Sequence, residues 1–122
     1  MQYLLMIYDD EKVLGSKTPE DRAKVSAEYL KYTQEIKASG HFLGGDALQG
    51  SHTATTVRVR DGKQTTTDGP FAETREVLGG YYLVEAANLD EAIKLAARIP
   101  SSRWGSIEVR PIWAIPEMGP KS

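Results

Sequence analysis

Val77-Leu78-Gly79-Gly80-Tyr81-Tyr82-Leu83-Val84-Glu85-Ala86 is followed, after a single residue, by Asn88-Leu89-Asp90-Glu91. The first stretch is rich in Tyr, Leu and Val, which favours a strand offering apolar groups to both of its faces. In the second, a cap residue precedes a carboxylate by three positions, the spacing of a capping box. A strand therefore hands over to a helix, with Leu89, Ala92, Ile93 and Ala96 as its buried face and an end forced before Pro100.

The same handover opens the chain. Residues 2–8 are apolar and stop at Asp9-Asp10-Glu11-Lys12, a short run with a polar end that favours a strand buried on both faces. Thr18-Pro19-Glu20-Asp21 starts a helix: Thr18 accepts from a free N–H, Pro19 has none to lose, and the carboxylates face the positive end of the dipole. Val25, Tyr29, Tyr32 and Ile36 form its apolar stripe, and Gly40 stands where a left-handed cap belongs.

Between the two halves, Phe42 to Gln49 reads as an irregular strand, with Gly44-Gly45 suited to a bulge or a close backbone approach. Thr55 to Arg60 alternates, Asp61-Gly62 is a hairpin turn, and Lys63 to Thr67 returns. Ser106 to Ile115 alternates again as a last strand, and residues 116–122 read as a loose C-terminal tail. The order is strand, helix, strand, hairpin, strand, helix, strand. That is an α+β domain over residues 1–122, a ferredoxin-like split βαβ unit with an inserted β-hairpin.

Two helices cover only one face of such a sheet. Leu4, Met6, Tyr8, Tyr82, Val84 and Ile112 fall on the register opposite Leu5, Ile7, Tyr81, Leu83 and Val109, so the second face also needs cover. A second copy of the chain supplies it most economically, and a homodimer with sheets packed face to face is the expectation.

The 122 residues suffice for one core without a staple, and there is no cysteine, which removes disulfides, thiolate nucleophiles and cysteine-ligated metals. A reducing cytoplasm fits. The net charge of −2 comes with scattered Lys and Arg, so no nucleic-acid partner is expected. The apolar start is far short of the ~20 residues that cross a bilayer, so no membrane partner is expected either.

The string Thr67-Asp68-Gly69-Pro70-Phe71-Ala72-Glu73-Thr74-Arg75-Glu76, followed by Gly79-Gly80-Tyr81-Tyr82, resembles the signature of the DGPF, or YCII-related, family of small bacterial proteins. Further matches are Gly44-Gly45, Thr56-Val57-Arg58, Asp61-Gly62, Asp90-Glu91-Ala92 and Glu108-Val109-Arg110-Pro111, so the resemblance spans nearly the whole chain. It implies a dimeric α+β barrel. It implies a functional link of many DGPF-type members to extracytoplasmic-function sigma factors, and in some members a His and Asp pair in a cleft. That pair does not carry over, because the first long helix here contains no His.

Asp68 and Glu73 flank the rigid Pro turn. Asp68 either accepts from backbone N–H groups just ahead of it, or it points with Glu73 into a cleft as an acid-base pair or as hard cation ligands. His41 either complements the helix C-terminus or is oriented by Asp46 for proton transfer, while His52 lies in a polar loop. Arg58, Arg75 and Arg110 either bind a carboxylate or phosphate, or pair with Glu73, Glu76, Glu85 and Glu108. For Arg75 the ion-pair reading is favoured. Gly79-Gly80 enters a strand and serves close packing, not phosphate binding. Phe71 is expected to anchor the turn in the core.

Two functions follow. One is a small-molecule enzyme with no cofactor and no metal, using His41 with Asp46, or Asp68 with Glu73, and Arg58 or Arg110 on the ligand. The other is a non-catalytic module that binds a small ligand or contacts a transcription component. The chain lacks HxH, HExxH and nucleophilic Ser patterns, which counts against catalysis other than acid-base chemistry.

Overall fold

The computed structural model describes residues 1–116, so all of the expected tail except Pro116 lies outside the described residues. In order come β1 (Gln2–Asp9), α1 (Glu11–Gly15), α2 (Pro19–Ala38), β2 (Phe42–Ala47), β3 (Thr55–Arg60), β4 (Lys63–Asp68), β5 (Val77–Glu85), α3 (Leu89–Ala97) and β6 (Ser106–Pro111). Short 3-10 turns occupy Ser51–Thr53 and Pro100–Arg103. The architecture is α+β. Strands β2, β5, β1 and β6 form one antiparallel sheet in that order, which is a split βαβ arrangement, and β3 and β4 form a separate two-stranded sheet.

Local chemistry sets the boundaries. The Thr18 hydroxyl accepts from the Asp21 N–H at 3.1 Å, and α2 ends in a Schellman arrangement around Gly40 (φ +81), with His41 N–H donating to Ile36 O at 2.9 Å and Gly40 N–H to Lys37 O at 3.1 Å. Asn88 accepts from the Glu91 N–H at 3.0 Å, and the Glu91 carboxylate reaches back to the Ala87 N–H at 2.9 Å. Asp61 (φ 52) and Gly62 (φ 75) both have positive φ, as a two-residue hairpin turn of type I′ requires. Residues 42–44 contain the expected irregularity in β2.

The core lies between the sheet and the two long helices. Leu5 and Val84 from the sheet meet Ile36 of α2 and Ile99 beyond α3, with Tyr3, Ile7, Tyr32, Tyr82, Leu95 and Ala96 around them. Burial of apolar surface at roughly 25 cal/mol per Å² is what holds these layers together.

Five expectations need correction. Strand β1 is not equally buried on both faces: Tyr3, Leu5, Ile7 and Asp9 are buried, while Leu4, Met6 and Tyr8 are only half-buried. The facing sets also differ, because register and not residue parity decides which side chains share a face. Leu5 pairs with Tyr82 and Tyr3 with Val84 on the core side, whereas Leu4 pairs with Leu83 and Met6 with Tyr81 on the outer side. In α3 the buried set is Ala92, Leu95 and Ala96; Leu89 and Ile93 are 49% and 48% exposed, since the helix turns the Ala92, Leu95, Ala96, Ile99 stripe to the sheet. Phe71 is 81% exposed and anchors nothing, because its loop is held by polar contacts instead. The last strand stops at Pro111, one bond before Ile112 N–H meets Gln2 O, because its partner β1 begins there.

Candidate functional site

The period-two alternation that buries Tyr3, Leu5 and Ile7 carries Asp9 to the same side, where it is 6% exposed. A carboxylate on the buried register needs donors, and the 3-10 turn after Pro100 delivers them. The Ser101 hydroxyl donates to Asp9 Oδ2 at 3.2 Å, and Trp104 Nε1 donates to Asp9 Oδ1 at 3.0 Å. Tyr29 on α2 meets the Ser101 hydroxyl at 2.5 Å. With the Ser101 proton directed at Asp9, Tyr29 is the donor to Ser101, and the three groups form one hydrogen-bond chain that ends on the carboxylate.

Burial pushes the Asp9 carboxyl above its ordinary value, against the lowering effect of its bonds from Ser101 and Trp104. Burial likewise pushes the Tyr29 hydroxyl up to about 12, so it stays a donor at neutral pH. Two glycines make room. A Cβ on Gly105 would collide with Tyr8 O and come within 2.7 Å of Asp9 Oδ1. Gly79, at the register shift where β5 passes β1, leaves open space beside Asp9 Oδ2: a Cβ there would have nothing nearer than 3.9 Å.

That space belongs to a cleft of about 640 Å³ bounded by α1, α2, β2 and β5. Its walls are largely apolar and aromatic, with Ile7, Leu14, Val25, Tyr29, Phe42, Tyr82 and Trp104, and its polar groups include Asp9, Ser101, Thr33 and Lys37. Thr33 and Tyr82 share a hydrogen bond of 2.7 Å, and Tyr82 stacks edge-on against Phe42 and Tyr32. A cleft of this size and lining, with a few convergent polar groups, is typical of small-molecule sites.

The residues singled out from sequence do not converge. His41 lies at the end of α2, with Nδ1 2.6 Å from Ser39 Oγ and Nε2 3.3 Å from Glu91 Oε1, and Asp46 is not its partner. Asp46 instead accepts from the Tyr81 hydroxyl at 2.7 Å, and both residues line the cleft. Asp68 ends β4, exposed, whereas Glu73 borders a second, charged groove of about 850 Å³ between α1 and the 70–77 segment. Among the described residues, the side chains of Asp68, Glu73 and Arg58 make no hydrogen bond or ion pair. Arg110 donates from Nε and Nη2 to Glu108 Oε2 at 3.1 and 2.9 Å. Arg75 does pair, but with Asp10 at 3.3 Å and not with a glutamate. Among the described residues no cluster of three or more His, Asp or Glu side chains is placed to hold a metal ion.

Asp9 was legible as a core residue by counting in twos from Leu5, yet it reads first as the polar end of a strand. Ser101 and Trp104 carry no local signal of their role.

The fold and cleft define a small α+β protein with a buried carboxylate facing an aromatic-walled cavity, and no helix of the described residues is long and apolar enough to cross a membrane. Residues 1–116 match the YCII-related domain, and the chain belongs to that family. It is 33% identical over 114 residues to an uncharacterised protein of Rhizobium meliloti (strain 1021), covering 92% of each chain.

Proposed function

We propose that the chain binds a small molecule in the Asp9 cleft and that Asp9 exchanges a proton with it, without an organic cofactor. The observation that carries this reading is the buried Asp9 carboxyl, raised by burial and reached from the cleft past Gly79. A group so poised holds its proton to higher pH than an exposed carboxylate does and can exchange it with a bound ligand. Ser101 and Trp104 fix its orientation, and largely apolar walls surround it. The half-buried outer sheet face, with Leu4, Met6, Tyr8, Tyr81 and Leu83, supports a homodimer that buries it, which would complete a dimeric α+β barrel.

A screen of small phenols, enols and carbonyl compounds by proton NMR tests the site, with binding read in H2O and exchange of carbon-bound hydrogen read in D2O. A true substrate shifts the Trp104 indole N–H and loses carbon-bound hydrogen to solvent with the wild type but not with Asp9→Asn. Binders that shift Trp104 without Asp9-dependent exchange would leave a non-catalytic binding module. Binders that instead perturb only the groove around Asp10 and Arg75 would remove the cleft as the site.

A further inference from the structure

The two ends of the Asp9 cleft differ in charge. At one end stand Asp9, Ser101 and Trp104. At the other, Lys37 lies in the last turn of α2 with its Nζ 4.9 Å from the ring centre of Phe42, and both residues line the cleft. Lys37 complements the helix dipole, which accounts for a cation there but leaves it without a carboxylate, since it makes no ion pair among the described residues. Lys17 presents a contrast. Its Nζ is 4.6 Å from the Trp104 ring, at the Asp9 end, where its charge slightly favours an ionised Asp9.

The separation of the ends sets the size of what could bridge them. Tyr29, which is bonded to Ser101 and so marks the Asp9 end, precedes Lys37 by eight positions on α2. That is about 12 Å of axial rise at 1.5 Å per residue, and the long lysine side chain can shorten the gap from its own side. A single aromatic ring with polar groups at opposite ends, or such a ring with a short conjugated extension, spans what remains. Phe42, Tyr82 and Trp104 make the wall aromatic, which suits a flat ring better than a branched aliphatic or a sugar.

Resting on the cleft reading above, we infer that the ligand class is the small aromatic hydroxy acid: its carboxylate meets Lys37 at the Phe42 end, its ring lies along the aromatic wall, and its hydroxyl donates to Asp9 through the opening at Gly79. Recognition is then a cation at one end, a hydrogen-bond acceptor at the other, and a slot between them. The carboxylate is the feature that separates this class from neutral phenols of the same shape.

Three probes of one shape test it: 4-hydroxycinnamate, its neutral amide, and cinnamate without the hydroxyl, each titrated against the full chain with the Trp104 indole N–H as reporter. The expected result is that 4-hydroxycinnamate binds about tenfold more tightly than the amide, a charge-assisted contact being the difference. Lys37→Met, at an exposed position, should remove that preference and bring acid and amide to similar affinities, and Asp9→Asn should reduce the advantage of 4-hydroxycinnamate over cinnamate. Equal binding of acid and amide, both moving Trp104, would overturn the ligand class and keep the cleft as a site. An acid preference that survives in Lys37→Met would also overturn it, since the carboxylate would then lie elsewhere. If no probe moves Trp104 while the screen of other compounds finds one that does, the class is wrong and the cleft stands; if nothing moves Trp104, both fall.

Discussion

Asp9 brings a carboxyl into the core beside Leu5 and Ile7, and its cost depends on pH. Its folded pKa is raised above the ordinary 3.8, chiefly by burial, so the folded state holds the proton more tightly than the unfolded chain does. Stability from this group is therefore complete below 3.8 and declines as pH rises through the folded value. Asp9→Asn abolishes the titration while keeping an acceptor for Trp104. The expected outcome is a wild type that loses stability relative to Asp9→Asn from pH 3.8 upward and then levels off, followed by urea unfolding at a series of pH values. A difference between the two proteins that does not change with pH would show that Asp9 is not raised. Glu91 behaves in the opposite sense: the Ala87 N–H first, then the nearby His41, outweigh desolvation and hold its pKa down, so its contribution is lost as pH falls.

Most elements were legible because their determinants are local. The Thr18 and Asn88 caps, the Gly40 stop and the Asp61-Gly62 turn each act within a few residues, and the structure places all of them as read. The five-residue α1 was hidden, since its Asp10 cap lies in an acidic run and so short a helix has no period to detect. The face of α3 was misread because Leu89, Ala92, Ile93, Leu95 and Ala96 fit two neighbouring stripes over only nine residues, and only packing on the sheet selects one. The site was the least legible part: Ser101 and Trp104 reach Asp9 across 92 and 95 residues of chain. At this scale the hairpin of β3 and β4 invites a test, because it pairs with itself and not with the four-stranded sheet. In Gly62→Ala a side chain is forced to φ +75, a cost of about 1 kcal/mol. Hydrogen exchange at Thr56 and Arg58, whose N–H groups face β4, should rise about fivefold while the main unfolding transition stays in place. A matching fall in the main transition would mean that the hairpin is part of the cooperative core.

For the whole molecule, the outer sheet face is where a second copy of the chain is expected to pack. The pairs Leu4 with Leu83 and Met6 with Tyr81 place apolar groups side by side on the face that no helix covers. A dimer is expected in light scattering after size exclusion, with twice the 13.5 kDa chain mass, and Leu83→Glu should return it to one chain without loss of secondary structure. A wild type that elutes as a single chain at micromolar concentration would sink the dimer and the barrel with it. The sequence pointed to this face through its surplus of apolar residues, although the side chains it assigned there were partly those of the core, since the pairing of β1 with β5 sets even-numbered residues of one strand beside odd-numbered residues of the other.

The hairpin at residues 55–68 also bears on how a chain like this can change over generations. It begins and ends at neighbouring points, Ala54 O and Gly69 N–H being joined by a hydrogen bond of 2.7 Å, and it lends no strand to the main sheet. Such a segment can be lengthened, shortened or exchanged as a cassette while β1, β2, β5 and β6 keep their register. Natural variation in chain length among related sequences should concentrate there, leaving the cleft around Asp9 on a scaffold of constant dimensions.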